Sequence, residues 1–324
     1  MHPFTARFHD SVSSLGETRL IACIRRWLGN VSPPPPFGIG DDCALLPPNR
    51  RNQLITTDPV IYGRHFDDAV PPRAVGAMLL KRNLSDLAAM GARPTAAVIA
   101  LALDPRVRTR WLELFYRGLA GAARRFDVPI VGGDVAQGDR FLGAFLTLFG
   151  EAAGPRVVAR AGARCGDWIY VTGTLGGSRL GHHWRFAPRL AEGAWLARRP
   201  EVRAMMDVSD GLAKDLYALT PPRSVPALRT NAIPLSPAAR TCARRTGRTP
   251  LAHALADGED YELVFAVDGQ ADQAALARAW RRAFPRLRIT CIGRFVSAGN
   301  VPPDSLRLEE FRGYEHLRRT LRSL

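Results

Sequence analysis

Five short segments, drawn from widely separated parts of the chain, each set one or two aspartates beside glycine, serine, threonine or asparagine. They are Phe37–Leu46 (FGIGDDCALL), Thr56–Asp58, Asn83–Asp86, Gly132–Asp134 and Asp207–Asp210. In the first, Gly38 and Gly40 leave the backbone free to approach a ligand or to take a positive φ. The adjacent carboxylates of Asp41 and Asp42 repel each other, so a fold that keeps both ionised needs a cation nearby. Any one segment alone reads as a polar turn or a cap. Jointly they demand a fold that converges Asp41, Asp42, Asp58, Asp86, Asp134, Asp207 and Asp210. Mg²⁺ prefers carboxylate and phosphate oxygens. Phosphoryl-transfer sites use such ions to bridge phosphates and offset developing charge.

The intervening stretches alternate between strand and helix patterns. Gln53–Asp58 reads as a strand ending on a carboxylate, and Ala74–Met90 as a helix that sets Asn83, Asp86 and Met90 on one face. Thr95–Leu103, Val128–Gly132 and Phe141–Glu151 read as strands, and Val107–Phe126 as a long amphipathic helix. After a boundary at Gly154–Pro155, Asp167–Thr172, Met205–Val208, Glu262–Val267 and Ile289–Ile292 read as strands. Leu212–Leu219, capped by Ser209 or Asp210, and Ala271–Phe284 read as helices, whereas residues 220–250 show little pattern. The expected class is α/β (α+β) in two domains, residues 1–153 and 154–324.

Composition narrows the partners. The longest apolar run, Thr95–Leu103, is too short to span a bilayer, and the start MHPFTARFHD has no apolar core of a signal peptide. The five cysteines are scattered without a CxxC pair, which favours reduced thiols in a cytoplasmic protein. The net charge of +15 comes almost wholly from arginines spread along the chain, with Lys81 and Lys214 the only lysines. A dispersed positive field suits phosphorylated substrates better than a nucleic-acid footprint, which is usually clustered.

The Gly-rich Gly173–Gly181 segment follows a strand but lacks the GxxxxGK[ST] and GxGxxG spacings, so it reads first as a tight turn. His182 and His183 are adjacent and would face different directions on a helix. No protein-kinase Gly-rich loop, HRD or DFG set is present. Phosphate chemistry here would rest on carboxylate-bound Mg²⁺ and backbone contacts.

Taken in order, GIGDDCALL (Gly38–Leu46), ITTDPVIYGRHF (Ile55–Phe66), NLSDLAAMGARP (Asn83–Pro94), GGD (Gly132–Asp134), GDWIYVTGTLG (Gly166–Gly176), DVSDGL (Asp207–Leu212), GEDYEL (Gly258–Leu263) and GYEHL (Gly313–Leu317) resemble the thiamine-monophosphate kinase family. That family lies within the aminoimidazole-ribonucleotide-synthetase-like superfamily. The resemblance implies an N-terminal domain that binds ATP and Mg²⁺ and dimerises through its sheet, followed by a C-terminal α/β domain. It implies Mg²⁺-dependent transfer of the ATP γ-phosphate to thiamine monophosphate, with ATP as co-substrate, in a cytoplasmic homodimer. By position it marks Asp42, Thr56, Thr57, Asp58, Asp86, Asp134, Asp207 and Asp210 as metal ligands, with Asp134, Asp207 and Asp210 central to catalysis. It marks Gly133, Asp134, Arg160 and Ser209 as ATP contacts, and His65, Glu259 and Phe311 as substrate contacts.

The chain departs from the family pattern in three places. GGDTT(R) is here Gly132-Gly133-Asp134-Val135-Ala136-Gln137, a lysine common before NLSD is Met78, and the GG before EDYEL is Asp257-Gly258. Two competing readings follow. One is another ATP-using enzyme of the superfamily. The other is a non-catalytic relative that binds nucleotide or nucleic acid, for which Val135–Gln137 is the best support.

Overall fold

The computed structural model describes residues 1–34, 37–39, 46, 51–311 and 313–314, with the backbone alone at residues 17 and 18. Gly40, Asp41, Asp42 and Cys43 of the opening motif lie outside the described residues. The chain divides into two compact units, Met1–Leu87 with Ala92–Ala153, and Ala88–Gly91 with Gly154–Leu324.

In the first unit, α1 (Gly16–Leu28) precedes β1 (Gln53–Ile61), α2 (Pro72–Ala89), β2 (Ala92–Leu103), α3 (Thr109–Phe126), β3 (Ile130–Gln137) and β4 (Leu142–Ala152). The strands form one sheet in the order β1-β4-β2-β3, antiparallel except for the β2–β3 pair that α3 connects. Register sorts side chains onto two faces, because successive residues of a strand alternate. Asp58, Leu146, Ile99 and Gly133 form one row across all four strands. Leu146 and Ile99 are buried there. Pro59, Phe145, Ala100 and Asp134 form a row on the opposite face. On that face Ile55 is 66% and Phe145 36% exposed.

In the second unit, β5 (Trp168–Thr172), α4 (His182–Arg185), α5 (Leu190–Ala197), β6 (Val202–Asp207), α6 (Leu212–Leu219) and β7 (Ser224–Leu228) come first. Then follow α7 (Pro237–Thr246), α8 (Pro250–Ala256), β8 (Leu263–Val267), α9 (Gln273–Ala283) and β9 (Ile289–Ser297). Its sheet runs β6-β8-β5-β9-β7 with antiparallel pairing throughout. Apolar clusters fill both faces. One packs Leu212, Leu216 and Phe295 around Val171 and Val264, and the other packs Trp280 and Leu196 around Phe265. Strands buried on both faces read as continuous apolar runs, which is why ELVFAV was legible.

Residues 220–250 hold more structure than their composition suggested. β7 and α7 lie inside them, and α8 begins at their end. The cue was local. Ser236 and Thr249 accept hydrogen bonds from the amides of Ala239 and Ala252, with a proline following each cap.

Candidate active site

In the first unit, β1 and α2 bring three predicted ligands together. Strand alternation puts Thr56 and Asp58 on the helix-covered face. There the Thr56 hydroxyl donates to Asp86 Oδ2 at 2.5 Å, and Arg82 Nε lies 3.8 Å from Asp58 Oδ2. Asn83, fully buried, anchors the same turn of α2 through the Leu79 carbonyl at 2.9 Å and the Asp58 carbonyl at 3.5 Å. Thr57 points the other way, its hydroxyl donating to the Leu146 carbonyl at 3.1 Å. Asp134 stands on the far edge strand, three strand spacings or about 14 Å from β1. By register it lies on the face opposite Asp58. Thus the unit gathers Thr56, Asp58 and Asp86, and keeps the Thr57 hydroxyl and Asp134 apart from them.

Gly133 and Asp134 edge a cavity of about 220 Å³ whose apolar wall comes from Ile21 and Ile24 of α1, Ile99 of β2 and Tyr116 of α3. Gly133 must be glycine there, since a Cβ would stand 2.1 Å from the Ile99 carbonyl oxygen. Beyond β1, the Ile61 amide donates to His65 Nδ1 at 3.0 Å. That bond fixes the proton of a neutral His65 ring on Nε2.

In the second unit, three motifs that are far apart in sequence meet. The turn Ser209–Gly211 follows Asp207 at the end of β6 and leads into α6. Glu259 donates its amide to the Ser209 carbonyl at 2.7 Å, and Tyr314 donates its amide to the Asp210 carbonyl at 2.8 Å. Glu259 takes the left-handed φ of 55°, with Oε2 3.6 Å from Arg179. Phe311 packs against the apolar cluster of this unit. Arg160 lies exposed in the segment that precedes β5.

The expected cap of α6 by Ser209 or Asp210 is not what forms. Gly211 is the N-cap residue, and no side chain of its own caps the helix. Asp215, one turn in, instead reaches back. Its Oδ2 accepts the amides of Ser209, Asp210 and Gly211 at 2.9, 3.0 and 3.1 Å. Burial, then the neighbouring Asp207 and Asp210 carboxylates, push its pKa up to about 8. The Asp210 carboxylate meets Lys214 Nζ at 2.5 Å, and that ammonium also donates to the Tyr314 carbonyl at 2.6 Å. Sequence reasoning missed Asp215 and Lys214, although their helical spacing from Ser209-Asp210 was the available signal.

The acids of DGEDYEL divide their work. Asp257 and Asp260 accept the amides of Gly177 and Gly176 at 3.0 and 2.8 Å, which makes the Gly-rich segment a packed turn. Glu262 pairs with Arg189 and accepts from the Thr172 hydroxyl. Cys242, His253 and Asp257 also lie close together. However, His253 Nε2 is engaged by Thr246 at 2.8 Å and Nδ1 by Asp257 at 2.9 Å, so this group is closed by its own hydrogen bonds.

Thr56, Asp58, Asp86, Asp207 and Asp210 offer only hard oxygen donors, without thiol or imidazole. Asp210 is at present balanced by an ammonium and Asp58 faces a guanidinium. That donor chemistry fits Mg²⁺.

A family model described as AIR synthase related protein, N-terminal domain, matches residues 40–152. The thiamine-monophosphate kinase of Rhodopirellula baltica is 37% identical over 270 residues, covering 80% of this chain and 83% of the relative. That of Aquifex aeolicus is 32% identical over 324 residues, covering 94% and 99%. Among solved structures, thiamine-monophosphate kinase from Stenotrophomonas maltophilia superposes with a TM-score of 0.72 at 31% identity over 88% of this chain and 95% of that one. AaThiL complexed with AMPPCP and TMP superposes with a TM-score of 0.70 at 29% identity over 97% and 99%.

Proposed function

The chain belongs to the thiamine-monophosphate kinase family, and from that premise we propose that it transfers the γ-phosphoryl group of ATP to thiamine monophosphate, forming ADP and thiamine diphosphate. The observation that carries the reading is the convergence of DVSDGL, GEDYEL and the Gly313-Tyr314 pair through the Ser209–Glu259 and Asp210–Tyr314 backbone bonds. The solved relative bound to AMPPCP and TMP supports the pair of substrates.

In this reading Asp42, Thr56, Asp58, Asp86, Asp134, Asp207 and Asp210 hold several Mg²⁺ ions. Asp134 serves a different ion from Thr56, Asp58 and Asp86 because register sets it on the other face of the sheet, while the Thr57 hydroxyl, turned to the Leu146 carbonyl, drops out of the set. The bound ions supply charge neutralisation to the phosphates. The protein supplies position and no nucleophile. Gly133, Asp134, Arg160 and Ser209 contact ATP, and the apolar cavity beside Gly133 suits a nucleobase. His65 donates from Nε2 to the substrate, while Glu259 and Phe311 contact thiamine monophosphate. The first unit serves as the ATP, Mg²⁺ and dimerisation domain. A second copy of the chain covers the open sheet face of Ile55 and Phe145. Among the described residues no helix is long and apolar enough to cross a membrane. We place the enzyme in the cytoplasm, where scattered thiols stay reduced.

The test is product formation from ATP, Mg²⁺ and thiamine monophosphate, with EDTA as control, followed by chromatography. Asp210→Asn should lower kcat at least about 100-fold with the fold intact. Near-normal turnover by that variant would sink the assignment of Asp210.

A further inference from the structure

Of 45 lysines and arginines in the chain only Lys81 and Lys214 are lysine. Lys81 lies on α2, the helix that carries Asp86, and Lys214 lies in the first turn of α6 against the candidate metal ligand Asp210. Lys81 is buried. The Lys214 side chain is 41% exposed, and its partner Asp210 32% exposed.

Lys214 is poorly explained by stability. An ion pair this exposed contributes little. The first turn of a helix is the positive end of its dipole, where a cation is disfavoured, and here Asp215 already takes up the amides that lead into the helix. A lysine placed there in a chain that otherwise uses arginine points to chemistry that guanidinium does not perform. An ammonium is a compact charge on a flexible four-carbon stem, whereas guanidinium is a planar fork. The site around it is also built closely. A Cβ at Gly313 would stand 2.6 Å from both the Asp210 carbonyl oxygen and Lys214 Cβ, so the 313–314 backbone lies directly on this pair. Lys214 therefore links the Asp210 turn to the segment that carries Phe311.

We propose that Lys214 is a catalytic residue of the phosphoryl transfer, its ammonium passing from Asp210 to an oxygen of the transferred group. The proposal rests on the kinase reading above. In the step, an oxygen of the acceptor phosphate forms a bond to the γ-phosphorus. The bond from that phosphorus to the bridging oxygen breaks, and its electron pair leaves with ADP. Lys214 stays protonated throughout and offsets charge on the equatorial oxygens. Asp210 parks the ammonium until its carboxylate is engaged by the loaded site.

The experiment compares wild type, Lys214→Met and Lys214→Arg in kcat and in KM for both substrates. It adds Mn²⁺ binding to the nucleotide-free protein by calorimetry, and melting temperature. Lys214→Met is expected to lose about 100-fold in kcat, as removal of one transition-state donor does. Its KM values should stay within about threefold, since the contact forms in the transition state. It should bind Mn²⁺ up to about fivefold more tightly, because the cation competing for Asp210 is gone. Lys214→Arg, which keeps the charge and the tether, should fold as wild type does and remain at least about tenfold below it in kcat. A Lys214→Met enzyme within about threefold of wild-type kcat overturns the proposal, as does full activity in Lys214→Arg. Lost turnover accompanied by weaker Mn²⁺ binding or a lower melting temperature marks a structural role and overturns it too. A wild type that forms no thiamine diphosphate overturns the kinase reading and this proposal with it. An active wild type with an equally active Lys214→Met overturns this proposal alone.

Discussion

Asp260 is 2% exposed, with Oδ1 on the Gly176 amide and Oδ2 without a hydrogen-bond partner among the described residues. Burial pushes its pKa well above the usual carboxylate range, and the Gly176 bond offsets this only in part. In the unfolded chain the group ionises near its ordinary value of about 3.9. Above that pH the folded state holds the extra proton, so the contribution of Asp260 to stability is fully present below the unfolded pKa and declines as pH rises. Asp260→Asn keeps an acceptor for Gly176 and removes the titration. Its melting temperature should therefore change less between about pH 5 and about pH 8 than that of wild type. An unchanged pH dependence would show that the folded protein carries Asp260 ionised. At this scale the sequence identified the acids but not their tasks. Asp257, Asp260 and Glu262 share one run with Glu259, the acid that the family resemblance marks. Burial against Gly176, Gly177 and Arg189 separates the others from it.

Among the elements, the Gly176–Gly177 turn joins β5 to the helices that follow. Gly176 has φ of 88°, and a Cβ there would stand 2.6 Å from the Ala254 amide nitrogen. Backbone cannot yield as a flexible side chain can. Gly176→Ala should thus cost about 1–3 kcal/mol, read from urea unfolding. A loss below a few tenths would mean that the turn and α8 shift apart freely. The glycines mark the turn in the sequence, and the structure packs it against the Asp257 and Asp260 carboxylates. Helices α7 and α8 were less legible, because α7 is short and arginine-rich and α8 runs only from Pro250 to Ala256, so both are announced mainly by their Ser-Pro and Thr-Pro starts.

For the whole molecule, the open face of the first sheet is where the proposed homodimer interface would lie. Ile55 and Phe145 are exposed on adjacent strands, and exposed apolar surface of this kind marks association sites. Ile55→Glu should convert the proposed homodimer to monomer in sedimentation analysis, since a charge desolvated in an apolar interface is strongly disfavoured. Retention of the dimer would move the interface elsewhere.

The alternation of patterns announced an α/β chain, and the aspartate-rich segments announced hard-oxygen chemistry, because residue type alone sets donor type and local periodicity. Which carboxylates share a site was beyond local pattern. Thr56 and Thr57 are neighbours in sequence, yet strand pleating sends one hydroxyl to Asp86 and the other to the Leu146 carbonyl. Asp58 and Asp134 both belong to one sheet, yet register puts them on opposite faces at opposite edges. Ser209, Glu259 and Tyr314 meet only because separate loops of the second unit dock by backbone hydrogen bonds. Those outcomes depend on pairing across long sequence separations, where the packing of both partners decides and no single segment carries the information.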